Sequence, residues 1–280
     1  HATLIHDLAL LHSLGIKLVL VHATREAIDA ALPTDQQAQF HDGIRITDDL
    51  TLSLAIETAA RQRVQLEQQL SMGLPNTPLT GARLRILGGN VVTAKPIGIL
   101  DGVDYLHSGT VRRVDAKGVR GILDQDAIAL LSPLGYSPAG EIFSVSASEV
   151  AEKVAVAIGA DKLIFLDSQP GLHTAGGELI RQCTIDSAWD LDLGDVEQQR
   201  LRDSACRSCA SGVARSHLLS YEHEGALLEE LFTHDGSGTL IAQNPYEQAR
   251  SADINDIASI VELIRPLEDS GALVKRSRER

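Results

Sequence analysis

A histidine, a glutamate and a glycine turn lie close together in the segment 212–242, GVARSHLLSYEHEGALLEELFTHDGSGTLIA. The pattern predicts a strand carrying His217, a short helix with Glu230 near its carboxyl end, and a turn at 235–238. The predicted bounds are 216–220 for the strand, 225–232 for the helix and 239 for the start of the next strand. A carboxylate near a helix C-terminus is unfavourable unless a cation or a hydrogen-bond donor lies close to it. A guanidinium held by two hydrogen bonds would meet that need.

The same residue types have a second, purely structural interpretation. His217 would then be a core histidine, Glu230 an exposed helix residue and Gly236 an ordinary turn glycine. Residue types and spacing alone leave both interpretations open.

The composition is typical of an α/β protein with small-molecule partners. The chain has 280 residues, of which 44% are hydrophobic and 3% aromatic, a formal net charge of -13 and a pI near 5.2. Such acidity argues against nucleic-acid binding, which depends on basic patches. Because no apolar run approaches the roughly 20 residues of a membrane span, we expect no membrane partner. The expectation is a cytoplasmic protein without a metal.

Helical and strand patterns alternate along the chain. A helix is predicted from Thr3 to Gly15 with an apolar stripe of leucines, and a buried strand follows at 17–21. Further strands are predicted at 83–87, 91–94, 127–131 and 162–166, and a helix at 147–158 that ends at Gly159. This alternation predicts a mainly parallel sheet covered on both faces. Short, glycine-rich strands at 84–115 predict an inserted hairpin.

Local patterns make three further predictions. The acidic stretch 185–199 lacks clear periodicity and is predicted to be a surface loop or a place where residues are absent. Ser146 and Glu149 have the spacing of a helix capping box. Cys206 and Cys209 form a CxxC within a helical pattern that has no second pair, so we interpret them as packing residues.

Several longer stretches carry a resemblance to a known family. They are LLHSLGIKLVLVH (10–22), GIRITD (43–48), GGNVVTAKPIGILDGVDYLHSG (88–109), LLSPLGYSPAGEIF (130–143) and the 212–242 segment. Together they resemble the amino-acid-kinase portion of the bacterial N-acetylglutamate synthases. ELIRPLEDSGALVKRSRE (262–279) is similar to the start of the acetyltransferase domain of these synthases.

The resemblance implies a fold and a domain organisation. Residues 1–245 are expected to form a three-layer α/β amino-acid-kinase fold with a central, mainly parallel sheet. Residues 246–280 are expected to begin a GNAT acetyltransferase domain that is incomplete here. The family's N-terminal helix and first strand have no counterpart, so we expect a sequence truncated at both ends. The bacterial synthases of this type are hexamers, and the resemblance implies the same assembly.

The resemblance also assigns an effector site. His217, Glu230 thirteen residues on and Gly236 six further match the arginine-feedback signature of arginine-inhibited N-acetylglutamate kinases and of the synthases. Glu230 would hold the guanidinium, and His217 would pack or hydrogen-bond against the ligand. The turn of Gly236, Ser237 and Gly238 would offer backbone groups to the α-amino and carboxylate ends.

Groups that handle phosphate in the kinases have no counterpart at the matching positions. Their glycine run is replaced by Val-His-Ala-Thr-Arg at 21–25, whose side chains hinder close approach of a phosphate. Their Asn-x-Asn-Ala-Asp pattern becomes Ser-Val-Ser-Ala-Ser at 144–148, which lacks the organising carboxylate. Leu201 aligns with their phosphate-binding lysine. We therefore expect a kinase fold without kinase activity.

Two other positions have competing interpretations. Arg45 matches the residue that holds the acetylglutamate carboxylate in the kinases, but a structural ion pair is the favoured interpretation here. Gly88 and Gly89 are interpreted as a tight turn rather than a ligand cradle.

The implied activity of the intact protein is acetyl transfer from acetyl-CoA to the α-amine of L-glutamate, the first step of arginine biosynthesis. Arg276 matches an arginine that holds the glutamate carboxylate. The (Arg/Gln)-x-x-Gly-x-(Gly/Ala) loop that cradles acetyl-CoA has no copy here, so the sequence alone is not expected to catalyse. Two alternatives remain open: an active N-acetylglutamate kinase, and a stand-alone arginine-binding regulatory module.

Overall fold

The computed structural model describes residues 2–71, 84–233 and 236–243. The helices are α1 Ala2–Ser13, α2 Arg25–Ala31, α3 Asp49–Ser71, α4 Ala116–Leu123, α5 Ala147–Ile158, α6 Ile185–Trp189, α7 Val196–Ala210 and α8 Ala226–Phe232. The strands are β1 Val19–Val21, β2 Phe40–His41, β3 Ile44–Arg45, β4 Ile86–Leu87, β5 Val92–Pro96, β6 Ile99–Leu100, β7 Val103–Asp104, β8 Gly109–Val114, β9 Ile128–Leu131, β10 Leu134–Tyr136, β11 Ile142–Ser144, β12 Lys162–Asp167, β13 Gln182–Thr184, β14 Arg215–Ser220 and β15 Thr239–Ala242.

Two mainly parallel sheets form the centre of the fold. One has the order β1-β9-β4, and both of its pairings are parallel. The other has the order β12-β14-β15-β13, in which only the β14–β15 pairing is antiparallel. The prediction of a mainly parallel sheet is confirmed.

Helices cover both faces of the second sheet, as successive residues of β14 demonstrate. Leu218 packs in a core cluster with Ala155 of α5 and Cys206 of α7. Leu219 packs on the opposite side, in a cluster with Leu8 of α1 and Leu227 of α8. Because successive side chains of a strand point to opposite faces, the three-layer arrangement follows from this alternation. Within the described ranges, none of the helices combines the length and apolar composition that crossing a bilayer requires.

The predicted hairpin insertion lies between β4 and α4. β5 pairs antiparallel with β8, and β6 pairs antiparallel with β7. β10 and β11 complete a four-stranded sheet of order β11-β10-β5-β8.

The prediction of a loop at 185–199 is wrong. Thr184 caps α6 through a reciprocal capping box with Ser187, and the Asp195 side chain accepts a hydrogen bond from the Glu197 amide at the start of α7. Leu193, between these helices, is 2% exposed and belongs to the core. The two helices begin at side-chain caps and have no long apolar repeat. The sequence pattern therefore predicted a loop where the structure has α6 and the start of α7.

The capping-box prediction for α5 is also wrong. Ser146 is the N-cap residue, but its side chain makes no capping hydrogen bond and instead contacts the Ser148 hydroxyl at 2.8 Å. Glu149 Oε1 accepts from the Thr110 hydroxyl and from the Val111 amide, so this carboxylate ties α5 to β8. At the other end, Gly159 ends the helix in the left-handed conformation, with φ +65°, as predicted.

The two cysteines of the CxxC are packing residues, as predicted. Cys206 and Cys209 lie in α7 with exposures of 0% and 1%. Burial raises the pKa of Cys206 to about 12. The Cys209 thiol donates to the Ser216 hydroxyl at 3.3 Å. A thiol held protonated in this way is a poor nucleophile and a poor metal ligand.

Candidate functional site

The sheet and α8 bring His217 and Glu230 together. His217 lies in β14, where it pairs with Ile164 of β12 on one side and with Leu240 of β15 on the other. Gly225, with φ +78°, allows the chain to turn into α8, which packs against β14. The predicted strand, helix and following strand are therefore confirmed, and they place the imidazole opposite the carboxylate.

The side chains of these two residues form a buried pair. His217 Nδ1 lies 2.6 Å from Glu230 Oε1, and the side chains are 4% and 6% exposed. The alternative of an exposed helix glutamate is wrong, because Glu230 faces the sheet. A buried carboxylate needs several donors to offset its lost hydration, and a single imidazole is not sufficient.

The glycine turn supplies the other donors. The backbone amides of Ser237 and Gly238 donate to Glu230 Oε2 at 2.7 and 3.2 Å. Gly236 has φ +62°, and a Cβ added there would lie 2.5 Å from Glu230 Oε2. A Cβ on Gly238 would lie 2.0 Å from the Leu218 carbonyl oxygen. Both glycines are thus required for the turn to close over the carboxylate.

The hydrogen bonds control the ionisation of Glu230. Burial by itself raises the pKa of this carboxyl, but the hydrogen bonds from His217, Ser237 and Gly238 outweigh that effect. The pKa of Glu230 consequently lies below its ordinary value of 4.5, and the group is a carboxylate at neutral pH.

Positive charge from β12 and β14 adjoins the pair. Burial and the neighbouring Arg215 lower the pKa of Lys162, while the charge of Glu230 opposes that shift. Arg181 donates to the Gly236 carbonyl at 3.4 Å. Sequence analysis missed Lys162 and Arg181, because each is far from Glu230 along the chain and neither belongs to a local motif.

Two features of the pair leave capacity for a ligand. His217 Nε2 is buried and has no hydrogen-bond partner among the described residues. Glu230 accepts three hydrogen bonds, whereas a carboxylate offers about four lone-pair sites. The arrangement is therefore suited to a small polar ligand that carries a cationic donor, although the two turn amides already donate to Glu230.

The other predicted positions lie elsewhere or outside the described residues. Arg45 forms an ion pair with Asp29 and lies over the Phe40 ring, so the structural interpretation is confirmed; its buried Nη1 has no partner among the described residues. At Gly88 a Cβ would lie 2.2 Å from the Leu130 carbonyl oxygen, so close packing against β9 explains this glycine. Arg276 lies outside the described residues.

Two of the positions predicted to match phosphate-binding residues of the kinases make internal contacts. The His22 ring is hydrogen-bonded to Gln62 at 3.2 Å and to Ser132 at 2.9 Å. Leu201 lies in α7 and packs, partly buried, against the core cluster. Neither residue offers a cation to a phosphate.

Comparison with known proteins relates this architecture to a family. The sequence profile of the amino acid kinase family matches residues 2–219, well over half of the chain. The chain belongs to the amino acid kinase family.

Relatives of this kinase-family chain include longer proteins. It is 49% identical to the amino-acid acetyltransferase of Pseudomonas fluorescens over 279 residues, and 50% identical to that of Azotobacter vinelandii. In both comparisons 99% of this chain is covered, and the chain spans 65% of the length of the curated relatives.

Solved structures similar to this chain include a synthase and a kinase. The N-acetylglutamate synthase of Neisseria gonorrhoeae, complexed with coenzyme A and L-arginine, has a TM-score of 0.85 and 34% identity, covering 99% of this chain and 65% of that protein. The carbamate kinase of Giardia lamblia is 10% identical with a TM-score of 0.60, covering 86% of this chain and 89% of that one. The second match supports the kinase fold alone.

Proposed function

We propose that this chain is the arginine-sensing, kinase-fold part of an N-acetylglutamate synthase. The observation that carries the proposal is the buried assembly of His217, Glu230 and the 236–238 turn. Relatives that are named amino-acid acetyltransferases, and the gonococcal synthase complexed with L-arginine, support it. The kinase fold would serve here as a regulatory domain.

In the proposed site, L-arginine binds with its guanidinium on Glu230. The cation restores the charge balance of a buried carboxylate, and a bidentate pair is the strongest form of that contact. His217 Nε2, which is unpaired within the described part of the chain, would hydrogen-bond to the ligand. Gly236, Ser237 and Gly238 would meet the α-amino and carboxylate ends. Because two turn amides already donate to Glu230, binding must rearrange the turn.

That rearrangement provides a route to regulation. The turn connects α8 to β15, an inner strand of the second sheet, so a ligand that moves the turn alters the packing of that strand and of α8. A coupling free energy of about 1 to 3 kcal/mol between such a site and a distant catalytic domain is sufficient for feedback inhibition.

In the intact protein, the α-amine of L-glutamate would attack the thioester carbonyl of acetyl-CoA. The carbon–sulfur bond breaks, giving N-acetylglutamate and coenzyme A, and backbone donors stabilise the oxyanion. Arg276 would hold the glutamate carboxylate, within an acetyltransferase domain that begins at 246. We further propose a metal-free reaction in a cytoplasmic hexamer.

Calorimetry tests the arginine site on the 280-residue chain. Arginine is expected to bind, and Glu230→Ala is expected to remove binding. Glu229→Ala is the matched control, because Glu229 pairs at the surface with His223 and should not change arginine affinity. Equal binding by the native and Glu230→Ala chains, or no binding by the native chain, would contradict the proposal. Phosphate transfer from ATP to N-acetylglutamate would instead identify an active kinase.

A further inference from the structure

A cavity lies at the other end of α8 from Glu230. It has a volume of about 400 Å³. Its lining comes from α1, from the end of β12 and from the connection between β14 and α8: Thr3, Leu4, Asp7, Leu166 and the stretch 220–227. Cavities of this size hold small organic ligands.

Asp7 is the acidic group of the lining that is least exposed to solvent. The residue is 3% exposed, and its carboxyl oxygens, which are not among the fully enclosed unpartnered atoms of the described residues, face the cavity. Burial raises the pKa of Asp7, and His6 opposes that shift. A carboxyl with so little exposed surface is poorly hydrated when ionised, and a bound cation would stabilise its charge.

The rest of the lining fits a cation that also has a hydrocarbon part. Leu4, Leu166 and Leu227 supply apolar walls. The lining contains no lysine or arginine, whereas the exposed Glu222 and Glu224 add negative charge near the opening. A metal ion fits less well, because the described part of the chain has no group of three His, Cys, Asp or Glu side chains that could hold one.

We propose that this cavity binds a small alkylammonium, with the ammonium on Asp7 and the alkyl chain against the three leucines. Asp7 accepts the N–H donors, so the buried carboxylate and the cation neutralise each other. The leucines remove the hydrocarbon from water. The ligand differs from arginine in having no α-carboxylate, for which the lining holds no lysine or arginine.

The first test compares two ligands of equal length on the native 280-residue chain. n-Butylamine should bind in a calorimetric titration at neutral pH, and uncharged n-butanol should bind at least about ten-fold more weakly, the loss expected when a charge-assisted hydrogen bond is absent. Equal binding of the two, or no binding of n-butylamine at millimolar concentration, would overturn the proposal.

The second test assigns the binding to Asp7. Asp7→Asn keeps the side-chain shape and removes the charge, and it should weaken n-butylamine binding by about ten-fold or more. Asp126→Asn is the control, since that side chain is 92% exposed and does not line the cavity. Unchanged affinity in Asp7→Asn would place the amine elsewhere and reject the site. If Asp7→Asn fails to fold, Leu166→Ala, at a partly exposed position of the lining, takes its place: it should weaken n-butylamine binding, and unchanged affinity would likewise reject the site.

Discussion

Glu230 is the residue on which the candidate arginine site depends. Its carboxylate collects His217 and two turn amides, and it is ionised despite burial. From the spacing of His217, Glu230 and Gly236, the sequence predicted that these residues belong to one site. The internal hydrogen bonds could not be predicted, because they follow from the path of the turn rather than from residue types.

Because the pKa of Glu230 is lowered in the folded chain, this residue should stabilise the fold at neutral pH and lose that effect in acid. The folded carboxyl holds its proton less tightly than the unfolded one, so its contribution is fully present above the ordinary value of 4.5 and is lost as pH falls through the lowered folded value. Urea unfolding of the native chain and Glu230→Gln should give a stability difference that is large at neutral pH and shrinks in acid. A difference that stays constant with pH would contradict this account.

Gly236 predicts a steric effect on the same carboxylate. Gly236→Ala adds a methyl group 2.5 Å from Glu230 Oε2 at φ +62°. Gly177→Ala is the control, with φ +83° and open space around the added Cβ. Both changes incur the left-handed backbone cost of about 1–2 kcal/mol, so Gly236→Ala should lower the free energy of unfolding by a further ~1 kcal/mol. If both variants lose the same free energy of unfolding, the added methyl group at 236 does not clash with the Glu230 carboxylate.

At the scale of elements, segments with a clear hydrophobic period were predicted correctly as helices or strands. The apolar strand at β1, the helix α5 with its glycine stop and the strand–helix–strand unit around β14 were all predictable, because burial on one face imposes a period. The helices in the stretch 185–199 could not be predicted in this way, because α6 and α7 begin at side-chain caps rather than at an apolar repeat. Lys162 could not be predicted as a neighbour of Glu230. The pairing of β12 with β14 brings the two residues near each other, and no local sequence pattern indicates that pairing.

α5 provides a prediction at this scale. Glu149 joins the helix to β8, whereas the Ser146 side chain caps nothing. Glu149→Ala should therefore destabilise the fold by about 1–3 kcal/mol, because it leaves the Val111 amide without its acceptor. Ser146→Ala should change stability by less than about 0.5 kcal/mol. Denaturant melts of both variants check this, and a larger loss for Ser146→Ala would restore the capping box.

At the scale of the whole molecule, a kinase fold has internal contacts at two positions where the kinases are expected to bind phosphate. His22 and Leu201 are used in internal packing and hydrogen bonding. The alternation of helices and strands predicted a mainly parallel sheet covered on both faces, whereas the kinase fold was implied by the family resemblance. The expectation that kinase activity is absent rests on individual substitutions, and the predicted acetyltransferase start at 246–280 lies outside the described residues.

The most direct measurement is a crystal structure of this chain with L-arginine. The account predicts the guanidinium on the Glu230 carboxylate, a ligand atom within hydrogen-bond distance of His217 Nε2, and a 236–238 turn that has moved from its present contacts. Arginine bound anywhere else, with the His217–Glu230 pair unchanged, would contradict the account.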